Sequence, residues 1–179
     1  MPPIPQFLKN PLVWLGAFAT FGILGAAAFF GLQYVQAAPP QPVAYDHAVH
    51  VQNGIQCIFC HPGAIRGQSA TLPTRQKCLG CHGNMDPGEN QKLQGVADYL
   101  AENQSIAWVP VAIQPDFVYF THRPHTAAGL NCEQCHGDVS QMGVAEYQGD
   151  QNMGWCLSCH NQQAPEKRAR LTDCSTCHK

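Results

Sequence analysis

The sequence predicts one apolar N-terminal helix followed by a mostly irregular, short-helix domain whose core is not built from its own side chains. Three observations carry this prediction. Residues 12–35 contain no charged side chain. The remainder is rich in Gly, Pro, Gln and Asn, while much of the 45% hydrophobic content sits in the first 36 of 179 residues. Finally, one cysteine pattern returns five times.

That pattern is C-x-x-C-H: Cys57-Ile58-Phe59-Cys60-His61, Cys78 to Cys81 with His82, Cys132 to Cys135 with His136, Cys156 to Cys159 with His160, and Cys174 to Cys177 with His178. It is the attachment signature of haem c. Two thiols at this spacing each form a thioether to one haem vinyl, and the adjacent histidine reaches the iron. Disulfides, zinc knuckles and thioredoxin-like pairs are the alternatives. All ten cysteines fall into the five motifs, each followed by histidine, which zinc sites do not require. Five porphyrins would supply the missing apolar mass, so little regular structure and poor folding without haem are expected.

The elements follow in order. Residues 1–11 read as a cytoplasmic N-terminus and 12–36 as a transmembrane helix. At helical rise, Leu12 to Val35 spans about 36 Å, enough for a bilayer. Trp14 and Tyr34 fall near its ends as interfacial aromatics. Lys9 precedes the span, which places the N-terminus inside and the haem domain on the periplasmic side of the cytoplasmic membrane. A signal peptide cut after Ala37 or Ala38 is the rival, but the apolar run is too long for an h-region. Gly22 and Ala26 lean toward packing against a membrane partner. Residues 37–43 form a Pro-rich linker.

A duplication organises the rest. His47 and His50 lie ten and seven residues before Cys57, and His122 and His125 hold the same positions before Cys132, a constant offset of 75 residues. This gives a two-haem module over 44–85, an insert over 86–117 and a three-haem module over 118–179. Nine histidines less five in motifs leave these four, all in H-x-x-H elements, as distal iron ligands. Each pair shares one helical face and can serve two neighbouring haems. Four cannot serve five haems, so the last ligand is sought among Met85, Met142 and Met153. Met153, three residues before Cys156, is preferred and Met142 is second. In the insert, Leu93, Val96 and Leu100 predict an amphipathic helix over Asn90 to Glu102. Ile106 to Ile113 reads as an extended segment or edge strand. Trp108, Tyr119 and Phe120 are expected to shield haem faces.

The modules resemble small multihaem cytochromes of the c7/c3 class. That resemblance implies the pairings His47 with His61, His50 with His82, His122 with His136, His125 with His160 and Met153 with His178. Five haem c groups, four His/His and one His/Met, leave no open iron position, and no C-x-x-C-K motif is present. The expectation is an electron-transfer subunit rather than an enzyme. The formal charge of −2 gives no argument for nucleic acid; haem propionates would make the domain a mildly acidic surface facing a redox partner.

Over nearly its whole length the chain resembles the pentahaem cytochrome c subunit of alternative complex III, a bacterial quinol-oxidising complex. The carrying features are the single anchor, the Phe117 to His122 run and Met153-Gly154-Trp155-Cys156. The resemblance implies an iron–sulfur/molybdopterin-like subunit, polytopic quinol-site subunits and a monohaem cytochrome c as partners. The alternatives are a self-contained membrane-anchored quinol dehydrogenase of the tetrahaem type, or the wire subunit of a periplasmic reductase. The tetrahaem family commonly has a methionine two residues after its first motif; here Pro62-Gly63 follows His61.

Overall fold

The computed structural model describes residues 5, 9–36, 38–43, 45–148 and 151–179, with the side chains of 33–36 excepted. Most of the N-terminal segment, the Tyr34 side chain, Ala37 of the linker and Ala44 at the module's start lie outside the described residues. The chain divides into two compact units, Met1–Ala37 and Ala38–Lys179.

In the first unit, helix α1 spans Pro11–Gln36. Proline at the first position costs nothing, since its missing N–H would be unpaired there anyway. Asn10 caps the end, its Oδ1 accepting from the Leu12 N–H at 3.0 Å. Leu12, Phe18, Phe21, Ile23 and Phe30 are all exposed. A helix apolar on every face suits lipid rather than water, and Pro11–Leu32 is long and apolar enough to cross a membrane.

The second unit contains short helices and, among the described residues, no strand. They are α2 (His47–Gln52), α3 (Cys57–Cys60), α4 (Arg75–His82), α5 (Gln91–Ala101), α6 (His122–Ala127), α7 (Glu133–His136), α8 (Met153–His160), α9 (Pro165–Leu171) and α10 (Cys174–Cys177). Two 3-10 turns, Pro62–Ile65 and Val139–Gln141, sit between them. Helix α5 takes the place predicted for it, with Asn90 as its cap accepting from Lys92 and Leu93. The segment around Val109 has no regular secondary structure; the Gln41 side chain supplies both a donor and an acceptor to the Val109 backbone. One isolated antiparallel bridge joins Val118 to His178.

The duplication is repeated bond for bond. Helices α2 and α6 both end on a glycine with positive φ, Gly54 at +80° and Gly129 at +79°. There Gly54 N–H donates to Val51 and Ile55 N–H to His50, while Gly129 N–H donates to Thr126 and Leu130 N–H to His125. This is a Schellman-like stop that turns the chain back toward the next cysteine motif. The two copies also clasp one another. The N–H groups of His47 and Ala48 donate to the carbonyls of Gly143 and Met142, and those of His122 and Arg123 donate to Gln68 and Gly67. Every partner is displaced by the same 75 residues. The free N-terminal amides of each H-x-x-H helix are thus satisfied by the other copy.

Among the described residues only Val43, Ala64 and Leu100 are buried hydrophobics. The side chains alone do not form a core. Ile58, Phe59, Leu72 and Trp155, each in or near a cysteine motif, are exposed.

Candidate haem sites

We number the sites 1 to 5 by the motifs at Cys57, Cys78, Cys132, Cys156 and Cys174. Helix α2 carries His47 and His50 one turn apart, and Asp46 caps it through Oδ1, which accepts from the Val49 N–H at 3.2 Å. Tyr45 lies over both rings, 4.7 Å edge-on from His47 and 4.5 Å from His50. Phe120 repeats this on α6, 4.7 Å from His122 and 4.9 Å from His125. These two aromatics position the histidine rings. The 75-residue register marks Tyr45 and Phe120 as equivalent, but not as partners of the histidine rings.

Three pairs of histidines face one another. Ring centres are 6.0 Å apart for His50 and His82, 6.1 Å for His122 and His136, and 6.2 Å for His125 and His160. Two metal–imidazole bonds of about 2 Å each, plus about 1 Å from nitrogen to ring centre on either side, give about 6 Å. His47 and His61 are electrostatic neighbours.

The other ring nitrogen is committed elsewhere. Nδ1 of His47, His50, His61, His122, His125, His160 and His178 donates to the carbonyls of Gly143, Asp46, Thr71, Gln68, Thr121, Leu171 and Phe117, at 2.7 to 3.2 Å. This fixes the tautomer that leaves Nε2 free for a metal, as ligating histidines require. Burial holds His47, His82 and His136 below the ordinary imidazole range, and neighbouring histidines add to that effect. Neutral imidazole is the ligating form. His82 and His136 are the two exceptions: neither makes such a bond among the described residues, and Nδ1 of His82 is buried without a partner.

The cysteines show which sites adjoin. Burial pushes the Cys60 thiol up, and Cys78 and Cys81 add to it, so sites 1 and 2 are neighbours. Cys132 is raised by burial and then by the neighbouring Cys57. Cys135 is raised by burial and by Cys159 and Cys156, and Cys156 by burial and Cys177. The row of sites is therefore 2, 1, 3, 4, 5. Cys57 and Cys132 are equivalent residues of the two copies, as are His61 and His136, which are also neighbours. Equivalent residues meet only on a local twofold axis, so the axis passes between sites 1 and 3.

Site 5 falls outside the duplication. Met153 is the first residue of α8 and is 63% exposed, one turn before Cys156, whose thiol adjoins Cys177. Met142 instead lies against α2, its carbonyl accepting from Ala48. Met85 is exposed just beyond α4. No direct contact brings any of the three to His178 among the interactions of the described residues. Trp108 donates through Nε1 to Pro73 O at 2.8 Å and meets Tyr45 edge-on at 6.2 Å.

These residues fit covalent haem. Thiols come in pairs one helical turn apart, histidines face across a gap of the right width, and apolar side chains lie exposed beside the motifs. A cleft of about 520 Å³, within the range for a cofactor, is lined by Gly54, Ile55, Gln56, Ile58, Phe59 and Cys81.

Comparison with known proteins agrees. Residues 118–179 match the family described as cytochrome c7 and related cytochrome c. The chain is also 29% identical over 182 residues, 88% of its length and 84% of the relative's, to the protein named "Menaquinone reductase, multiheme cytochrome c subunit" of Nitratidesulfovibrio vulgaris strain Hildenborough. The expected fold class stands: a cytochrome c7-like multihaem domain, helical and irregular, behind one apolar N-terminal helix. The family matched over residues 118–179 implies covalently bound haem c as the cofactor.

Proposed function

We propose that this chain is a membrane-anchored pentahaem relay passing single electrons between a membrane quinone site and a periplasmic redox partner. The observation that carries the reading is the three facing histidine pairs, with ring centres 6.0 to 6.2 Å apart, in which α2 and α6 present their histidines to the motif histidines. Bound haem c supplies reversible one-electron iron chemistry. The chain's task is to hold each iron between two protein ligands, so that no substrate gains access and little reorganisation accompanies a change of charge. His61, His82, His136, His160 and His178 take the proximal positions. His47, His50, His122, His125 and Met153 take the distal ones, giving four His/His haems and one His/Met haem.

In this reading residues 44–85 hold two haems, 86–117 form an insert and 118–179 hold three haems. The complex resembles alternative complex III, with an iron–sulfur/molybdopterin-like subunit, polytopic quinol-site subunits and a monohaem cytochrome c. The N-terminus lies in the cytoplasm and the haems lie outside. The relative's name favours a second reading of direction, in which electrons run through the same row toward menaquinone.

The test mixes the detergent-solubilised subunit with a menaquinol analogue and follows haem reduction by stopped-flow absorbance. The relay reading expects no reduction of the isolated subunit and rapid reduction in the native membrane complex. Fast reduction of the subunit alone would replace it with a self-contained quinol dehydrogenase. Rapid oxidation of pre-reduced haems by menaquinone in the complex would favour the second direction.

A further inference from the structure

The duplicated copies account for the row from site 2 to site 4, but not for what was added at its C-terminal end. Residues 165–179 carry Lys167, Arg168, Arg170 and Lys179 against Glu166 and Asp173. Residues 86–117 have the opposite bias, with Asp86, Glu89, Asp98, Glu102 and Asp116 against Lys92. Helix α5, within that acidic stretch, packs on α4, which carries the site 2 motif.

Helix α9 is fixed to the last two sites by its own backbone. Its C-terminal carbonyls, which a helix leaves unpaired, accept from groups of the haem motifs. Leu171 O accepts from Nδ1 of His160 at 3.0 Å, and Arg170 O accepts from Thr176 Oγ1 at 2.6 Å. The side chains of Lys167, Arg168 and Arg170 are exposed, and no ion pair joins them to a described carboxylate. Two aromatics lie beside site 5. Phe117, 62% exposed, has its ring 6.0 Å from that of His178. Tyr119, 48% exposed, lies under the Lys179 ammonium at 5.4 Å. Exposed aromatics set among unpaired cations are the composition of a docking face.

We propose that the exposed cations of α9, with Lys179, Phe117 and Tyr119, dock an acidic redox protein and make site 5 the port where electrons are exchanged. The inference rests on the relay reading above. In the step one electron leaves ferrous haem at site 5 and enters the oxidised centre of the partner, with no bond made or broken.

The test uses full-length haem-loaded protein in detergent and oxidised plastocyanin, an acidic blue-copper protein, as probe. Lys167→Glu, Arg168→Glu and Arg170→Glu together should slow electron transfer to the probe about tenfold or more at low salt. The same variant should abolish the probe's salt-sensitive binding and leave the haem spectrum unchanged. The corresponding triple Gln variant should fall between, and Lys92→Glu on α5 should have no effect. Unchanged binding and rate would overturn the proposal. So would a shift of haem potentials without loss of binding, which would assign the cations to haem carboxylates. So would loss of binding to phosphatidylglycerol vesicles with plastocyanin unaffected. Photoreduction separates the two readings. Electrons that still equilibrate among the haems while docking fails remove only the port; failure to equilibrate removes the relay itself.

Discussion

Gly54→Ala isolates what the local turn contributes to ligand retention. An added Cβ at Gly54 meets nothing within 4 Å, so the substitution has no packing cost. What remains is the conformation, φ +80°. A non-glycine residue in the left-handed region costs about 1–2 kcal/mol, and the stiffer unfolded chain returns about 0.4–1 kcal/mol. The net loss is about 1 kcal/mol, a factor of about five in the population of the opened turn. That turn is closed by the Ile55 N–H donating to the carbonyl of His50, the residue facing His82. Opening it frees the histidine we propose as the distal ligand of site 2. Carbon monoxide binds ferrous haem only where a ligand has left, so its binding rate measures the opening directly. One haem in five should bind about fivefold faster. Gly129→Ala, also in open space at φ +79°, should do the same at site 4 through His125. An unchanged rate in both variants, or an effect spread over every haem, would refute the local argument.

Other outcomes follow from the same geometry. Met153→Leu should abolish the near-infrared sulfur-to-iron charge-transfer band and leave four low-spin bis-histidine haems; a retained band would send the search back to Met142. Chain produced in cells unable to attach haem should be protease-sensitive and lack a cooperative melting transition, because only three described hydrophobic residues are buried. A sharp transition in that material would contradict the haem-core account. Thr121→Val removes the hydroxyl that donates to Gly67 O at 3.0 Å across the two copies. It should lower stability of the haem-loaded protein by about 1 kcal/mol, read by denaturant titration. No measurable change would mean the clasp is carried by its backbone bonds alone.

Much of the chemistry was legible in the chain, because covalent attachment and axial ligation demand fixed spacings. C-x-x-C-H and H-x-x-H are such spacings, and helix α5 was equally open to periodicity because Leu93, Val96 and Leu100 share one face. The clasp was not legible. It uses backbone carbonyls of Gly67, Gln68, Met142 and Gly143, and any residue has a carbonyl. Only the 75-residue register shared by donors and acceptors marks it, and that register becomes meaningful once both ends of each bond are known. The order of sites was hidden for the same reason, since the meeting of Cys57 with Cys132 joins distant parts of the chain.

A row with a local twofold axis has no intrinsic direction, so direction must come from where the copies differ. Sites 2 and 4 are equivalent by duplication in their proposed distal ligands, His50 and His125, each donating through Nδ1 to a backbone carbonyl four residues earlier. Their proximal ligands differ. Nδ1 of His160 donates to Leu171 O at 3.0 Å, a carbonyl supplied by α9, whereas Nδ1 of His82 is buried without a partner. A bond from Nδ1 to a carbonyl makes the imidazole a stronger donor and favours ferric iron. Site 2 should therefore have the higher potential of the two. A redox titration followed through the haem methyl resonances would order them, and an equal or higher potential at site 4 would defeat the reasoning. If site 2 is the higher, and a methionine raises site 5, both ends of the row lie above site 4. That distribution suits a conduit that exchanges with partners only at its termini, and it would arise from one missing carbonyl and one appended site.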